Sequence, residues 1–209
     1  MYTCASCNIH ACQTGDLSKT PKNCPCLETE DKELTKRHYK EEQNYKIAHN
    51  SAAVEAEGYC RKTRLEETMD FARKCGFTTL GIAFCIGLKS EAKKLTTILR
   101  DNGFIVNSVV CKNQSIPKEF IGIGEDEKVR PGTYEPMCNP IGQAVLLNKS
   151  KTDLNIILGL CVGHDSLFIK YSEAPVTVFA TKDRVLCHNP MAVLYLADGY
   201  YKDKLRGSR

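Results

Sequence analysis

The stretch TTLGIAFCIGLKSEAKKLTTILRDNGFIVNSVVC, residues 78–111, decides the fold class. Its first apolar run, Thr78 to Cys85, reads as a buried strand. Leu88, Ala92, Leu95, Ile98 and Leu99 then recur at helical spacing on one face, and Asn102-Gly103 offers a helix stop before a second apolar run, Phe104 to Cys111. Strand, helix and strand in this order form a βαβ unit, with the helix carrying the chain back so that the two strands run parallel.

The same alternation continues downstream. After a polar loop rich in Gly and Pro, Asn139-Pro140 supplies an N-cap and an N1 proline to a helix over Ile141 to Asn148. Leu154 to Cys161 reads as a strand, followed by a short helix carrying Leu167, Phe168 and Tyr171 with Asp165 as its cap. Another strand falls near Pro175 to Ala180, and Asn189-Pro190 repeats the Asn-Pro helix start. Upstream, a charged, helix-favouring stretch carries Leu65, Met69 and Ala72 at helical spacing before a stop at Gly76. The expected architecture is α/β: a mainly parallel, Rossmann-like sheet flanked by helices, with a small N-terminal cysteine-rich metal knuckle. The expected divisions are a knuckle over 1–27, a helical connector over 28–75 packed on the main domain, an α/β domain over 76–206 carrying a second cysteine site, and a vector-derived scar over 207–209.

The 209 residues suffice for one main domain and a small appendage. Cations and anions nearly balance at a net charge of +4, with no basic stripe, so nothing calls for a nucleic-acid partner. No export signal or membrane-length apolar run is visible, which points to a cytoplasmic protein with no membrane partner. Twelve cysteines in a reducing compartment then point to metal ligation or thiol chemistry before disulfides.

Two cysteine sets stand out. In the first 26 residues, Cys4, Cys7, Cys12 and Cys24 form the expected metal ligands, with His10 among them and Cys26 as a spare or alternate. The segment has few large apolar residues and needs a metal to hold a shape. Four thiolates suit a tetrahedral zinc or a cubane iron–sulfur cluster, and spacing does not separate the two. Cys24-Pro25 echoes the Cys-Pro that ends ferredoxin runs. In the second set, Cys85, Cys111 and Cys161 each end an expected strand, so they share the edge where open α/β sheets bind ligands. Cys138 joins them just before a helix start, where the dipole favours a thiolate. These four are the expected ligands of a second cluster or metal.

Cys161 and His164 are the candidate catalytic pair, in a flexible 161–166 loop that suits an anion or a substrate. A thiol enzyme with Cys161 or Cys138 as nucleophile and His164 as base is a third reading. Cys187 and His188 are secondary candidates, Cys60 and Cys75 suit packing, and His38 and His49 suit a solvated face. Arg184 suits an anionic substrate or a surface ion pair. Gly122-Ile123-Gly124 lacks the third glycine of a dinucleotide fingerprint, so no nicotinamide or flavin is assigned.

Cys4, Cys7, Cys12 and Cys24-Pro25, together with Ile82-Ala83-Phe84-Cys85, Val109-Val110-Cys111-Lys112, Met137-Cys138-Asn139-Pro140 and the block Gly159 to Asp165, carry a family resemblance. The chain resembles a family of small, cysteine-rich proteins from anaerobic bacteria and archaea, regarded as metal-binding and carrying a domain of unknown function. The resemblance implies metal binding and no particular reaction; Cys26 and Cys187 stand outside its pattern. The functional expectation is an iron–sulfur protein with one or two [4Fe-4S] clusters, acting in electron transfer with a redox partner protein or in cluster-dependent chemistry on a small-molecule substrate. The alternative is a zinc-stabilised protein-binding module without catalysis. Oligomeric state is not legible.

Overall fold

The computed structural model describes residues 1–206, so the expected scar at 207–209 lies outside the described residues. The chain divides into two compact units, Met1–Cys60 and Arg61–Arg209.

In the first unit, short turns and α1 (Ala11–Thr14) precede two longer helices, α2 (Thr29–Tyr39) and α3 (Glu42–Gly58), which pack on each other. Few side chains here are withdrawn from water; in the three helices Ala11, Val54 and Gly58 are the buried positions. His38 and His49 are exposed, the first paired with Glu41 at 2.8 Å and the second stacked on Tyr45.

The second unit begins with α4 (Arg64–Lys74), whose Thr63 and Glu66 form a capping box. It continues as β1 (Thr79–Phe84), α5 (Lys89–Asp101), β2 (Ile105–Val110), α6 (Pro140–Lys149), β3 (Leu154–Leu160), α7 (His164–Tyr171), β4 (Val176–Thr181), α8 (Met191–Tyr195) and α9 (Lys202–Leu205). The four strands form one sheet in the order β2-β1-β3-β4, and every neighbouring pair is parallel. The α/β expectation is met.

Helix stops work as their sequences imply. At Asn102-Gly103, Gly103 takes a φ of 89°, its amide bonds Arg100 O at 2.9 Å and the Phe104 amide bonds Leu99 O at 3.1 Å. Gly76 does the same, with the Phe77 amide reaching Ala72 O at 2.8 Å. Both are Schellman caps.

Strand alternation divides the core. Leu80, Ile82, Leu154, Ile156 and Leu158 pack with Met69 and Ala72 of α4 and with Ala92, Leu95 and Leu99 of α5. Ala83, Ile157 and Leu160 pack instead with Ala144 and Leu147 of α6 and Phe168 of α7. Of the three apolar residues expected to anchor α7, only Phe168 is buried; Leu167 and Tyr171 are 38% and 44% exposed. No helix among the described residues is long and apolar enough to cross a membrane.

Candidate functional site

In the order β2-β1-β3-β4 the chain steps from β1 to β2 at one edge and then crosses back to β3 and β4 on the other side of β1, which places the topological switch point between β1 and β3. Ligands of open parallel sheets bind beyond the strand ends at such a point. Cys85 follows β1, Cys111 follows β2 and Cys161 follows β3, all at this edge.

Cys138 arrives from a loop and is fixed by its neighbour. The Asn139 amide donates to Cys111 O at 2.7 Å, and the Asn139 side-chain oxygen accepts from the Gly142 amide at 2.8 Å, which caps α6 as expected. Asn113 closes the clamp by donating to Val110 O at 2.9 Å and Asn139 O at 3.0 Å. One turn into α6, buried Gln143 donates to Val109 O at 2.7 Å and Phe84 O at 3.2 Å, tying the helix to the ends of β2 and β1. Cys138 is thereby set against Cys111.

The thiols form a chain of contacts: Cys85 with Cys111, Cys111 with Cys138, and Cys138 with His164. The hydrogen bond with Cys111 brings Cys138 down to about 4, helped by the His164 hydrogen bond and the Lys112 charge against the cost of burial. Cys85 is brought down to about 5, again first by Cys111, then by the Gly87 amide and Lys182 against burial. Cys111 is pushed upward, first by its hydrogen bond with Cys138, then by that with Cys85 and by burial, because its one proton is shared toward two neighbouring sulfurs. It also accepts the Ile86 amide at 3.3 Å. His164 is raised by its hydrogen bond to Cys138, which outweighs burial.

Cys161 stands apart from this chain of thiols. Its sulfur accepts Arg184 Nη2 at 3.3 Å, and the Arg184 guanidinium also senses the charges of Cys85 and Cys138. His164 opens α7 through Gly163, the N-cap at φ 82°; Asp165 lies inside the first turn and accepts the Ser166 amide at 2.8 Å. The expected Asp165 cap is therefore corrected: Gly163 reaches a backbone conformation that strains a side-chain-bearing residue. Asn189 does not cap α8 either, since Pro190 is the N-cap and no side chain bonds the helix start. Cys187 and His188 lie in a turn in which the His188 amide bonds Asp183 O at 2.9 Å. Cys75 is buried as a packing residue, whereas Cys60, the last residue of the first unit, is exposed.

Sequence reasoning passed over Lys112 and Lys182, and left Arg184 between two roles. Each follows a strand end by one to three residues, a placement equivalent to that of Cys85, Cys111 and Cys161. That shared offset was the available signal.

In the first unit, Asn23 donates to Met1 O at 3.1 Å and Thr3 Oγ1 at 2.9 Å, returning Cys24 toward the start of the chain. Cys26 is raised by its hydrogen bond with Cys24, by burial and by the charges of Cys24, Cys12 and Cys4. It thus faces three of the expected ligands. Cys7 is lowered by the amides of His10 and Ile9. Among the described residues, no three His, Cys, Asp or Glu side chains converge, as they stand, on one point where an ion would sit.

Residues 24–179 match a protein family described as of unknown function, DUF1847. This chain belongs to the DUF1847 family. The match takes in Cys85, Cys111, Cys138, Cys161 and His164. The chain is also similar to the uncharacterized protein MJ0455 of Methanocaldococcus jannaschii, 47% identical over 205 residues, 97% of each chain. The expected membership of a cysteine-rich family of unknown function, with an archaeal relative, therefore holds. No solved structure matches this DUF1847 chain.

Proposed function

We propose that this DUF1847 protein is a cysteine-liganded metalloprotein whose principal site is the sheet edge, holding an iron–sulfur cluster for electron transfer or small-molecule chemistry. The observation that supports this reading is the contact of Cys85, Cys111 and Cys138, delivered from three separate chain segments to the switch-point edge. Setting two buried thiols beside a half-buried one gives no packing advantage over aliphatic groups, whereas thiolates are what iron and zinc require.

The donor set fits a cluster. Thiolate-ligated clusters carry net negative charge, and Lys112, Lys182 and Arg184 face the thiols. Cys85, Cys111 and Cys138 would hold the group after side-chain rotation, with Cys161 or His164 as the fourth donor. A bound cluster supplies one-electron chemistry or, with one iron open, a Lewis acid. The protein's own residues contribute cationic charge, the Ile86 and Gly87 amides toward sulfur, and an imidazole able to hold a proton beside Cys138. A second metal belongs to the N-terminal set Cys4, Cys7, Cys12 and Cys24, with Cys26 beside it.

The test is anaerobic purification with iron, sulfide and zinc analysis and an absorption spectrum of one sample. Iron and sulfide with broad absorption near 400 nm, reduced by Cys138→Ser but retained at the sheet edge in Cys7→Ser, is the expected result. A colourless protein holding only zinc would overturn the iron–sulfur reading in favour of the zinc-stabilised binding-module alternative, and metal content unaffected by either replacement would sink both sites.

A further inference from the structure

We propose that the sheet edge takes a small oxyanion as its substrate, gripped by Arg184 and Lys182 beside Cys161 and Cys85. The inference rests on the reading of this edge as the functional site, names the substrate class and does not depend on which metal is bound.

Three cationic side chains reach the edge from two segments, Lys112 after β2 and Lys182 and Arg184 after β4. The Lys182 amide is bonded to Leu160 O at 3.1 Å, which carries the residue directly off the end of β4 alongside β3. Its ammonium contacts Cys85, and Nζ lies 3.5 Å from where a Cβ on Gly87 would stand and 4.0 Å from where one on Gly159 would stand. The ammonium thus stands over the segment that follows β1 and the end of β3. Arg184 places Nη2 on Cys161 at 3.3 Å, while Lys112, whose ammonium donates to Pro136 O at 2.5 Å, acts on Cys138 through its charge.

Nearby acids are turned to other tasks. Asp183 accepts the amides of Val185 and Leu186 at 2.9 and 2.8 Å, and Asp165 accepts that of Ser166 at 2.8 Å while sensing His164. Among the described residues, neither Lys182 nor Arg184 is paired with a carboxylate; both point at sulfur. The rim is open, with Val162 93% exposed and no atom within 4 Å of a Cβ built on Gly163.

A planar guanidinium offers a fork that matches carboxylate, phosphate or sulfur oxyanion, and an ammonium adds a point charge. Placed at the β1/β3 switch point, the pair attracts anions to the thiols, and such focusing raises encounter rates by roughly ten-fold or more at low salt.

The test compares two alkylating probes of similar size, iodoacetate and iodoacetamide, on the full-length reduced protein, as purified and after chelation. Rates at Cys138 and Cys161 are read by mass spectrometry against a small free thiol. In the chelated protein the iodoacetate-to-iodoacetamide ratio is expected to exceed that of the free thiol by about ten-fold at low ionic strength and to shrink with salt. Arg184→Gln and Lys182→Gln are expected to cut the ratio several-fold. Phosphate, sulfate and acetate, compared at equal ionic strength, are expected to slow alkylation, and the most protective one tells a tetrahedral from a planar anion. A ratio equal to that of the free thiol, a ratio that neither variant changes, or no protection by any of the three would overturn the proposal. Protection of the thiols in the as-purified protein that chelation removes reads the metal separately, so either idea can fail without the other.

Discussion

In β3, Leu158 packs on the α4/α5 side of the sheet, yet Leu160, two residues on, packs on the α6/α7 side. Strict alternation would keep both on one face. Gly159, at φ 70°, sits between them where the register with β4 shifts, and this bulge turns the strand end that delivers Cys161. A Cβ on Gly159 would stand 2.2 Å from Leu88 Cδ1. Gly159→Ala is therefore expected to destabilise the protein by about 1–3 kcal/mol, from overpacking added to backbone strain, as read by urea unfolding. An unchanged midpoint would mean that the bulge can be relaxed at no cost. The glycine was visible in the sequence as part of a block shared with a family, but its parity switch was not, because alternation alone assigns residues to faces only while the register stays regular.

At the scale of elements, α4 joins an N-terminal capping box to a Schellman stop, so both ends are defined by local sequence. Asp70 on this helix bonds Lys62 at 2.5 Å, and that hydrogen bond, opposed by burial and helped by the lysine charge, lowers its carboxyl. A depressed acid stabilises the fold above its ordinary pKa and loses that contribution as pH falls through the folded value. Asp70→Asn is accordingly expected to cost about 1 kcal/mol near neutral pH, with the gap from the parent closing in acid below the usual carboxylate range. Chemical unfolding at several pH values checks this, and a gap that widens in acid would contradict the sign. The start of α6 was equally readable, since Asn139 caps it; the starts of α7 and α8 were not, because Gly163 and Pro190 occupy the cap positions in place of Asp165 and Asn189.

Across the whole molecule, the two units draw on different sources of stability. Residues 61–206 enclose a sheet with apolar clusters on both faces, whereas the helices of residues 1–60 withdraw little more than Ala11, Val54 and Gly58 from water. If metal substitutes for a core in the N-terminal segment, a chelator under reducing conditions is expected to open residues 1–27 to trypsin at Lys19 and Lys22 while the α/β unit stays intact. Identical digestion with and without chelator would remove metal from the account of that segment. The sequence by itself determined the α/β alternation, the parallel strands, the two cysteine sets and the caps at Asn139, Gly76 and Gly103, because period, propensity and capping act over one or two turns of chain. Only the tertiary structure decided that Cys111 stands between Cys85 and Cys138, that His164 completes the row, that Cys26 faces Cys4, Cys12 and Cys24, and that Lys112, Lys182 and Arg184 join the thiols. The meetings at the sheet edge depend on strand order, which brings distant strand ends to one place, and the one around Cys26 on turns that fold the segment back; neither leaves a periodic trace in the chain.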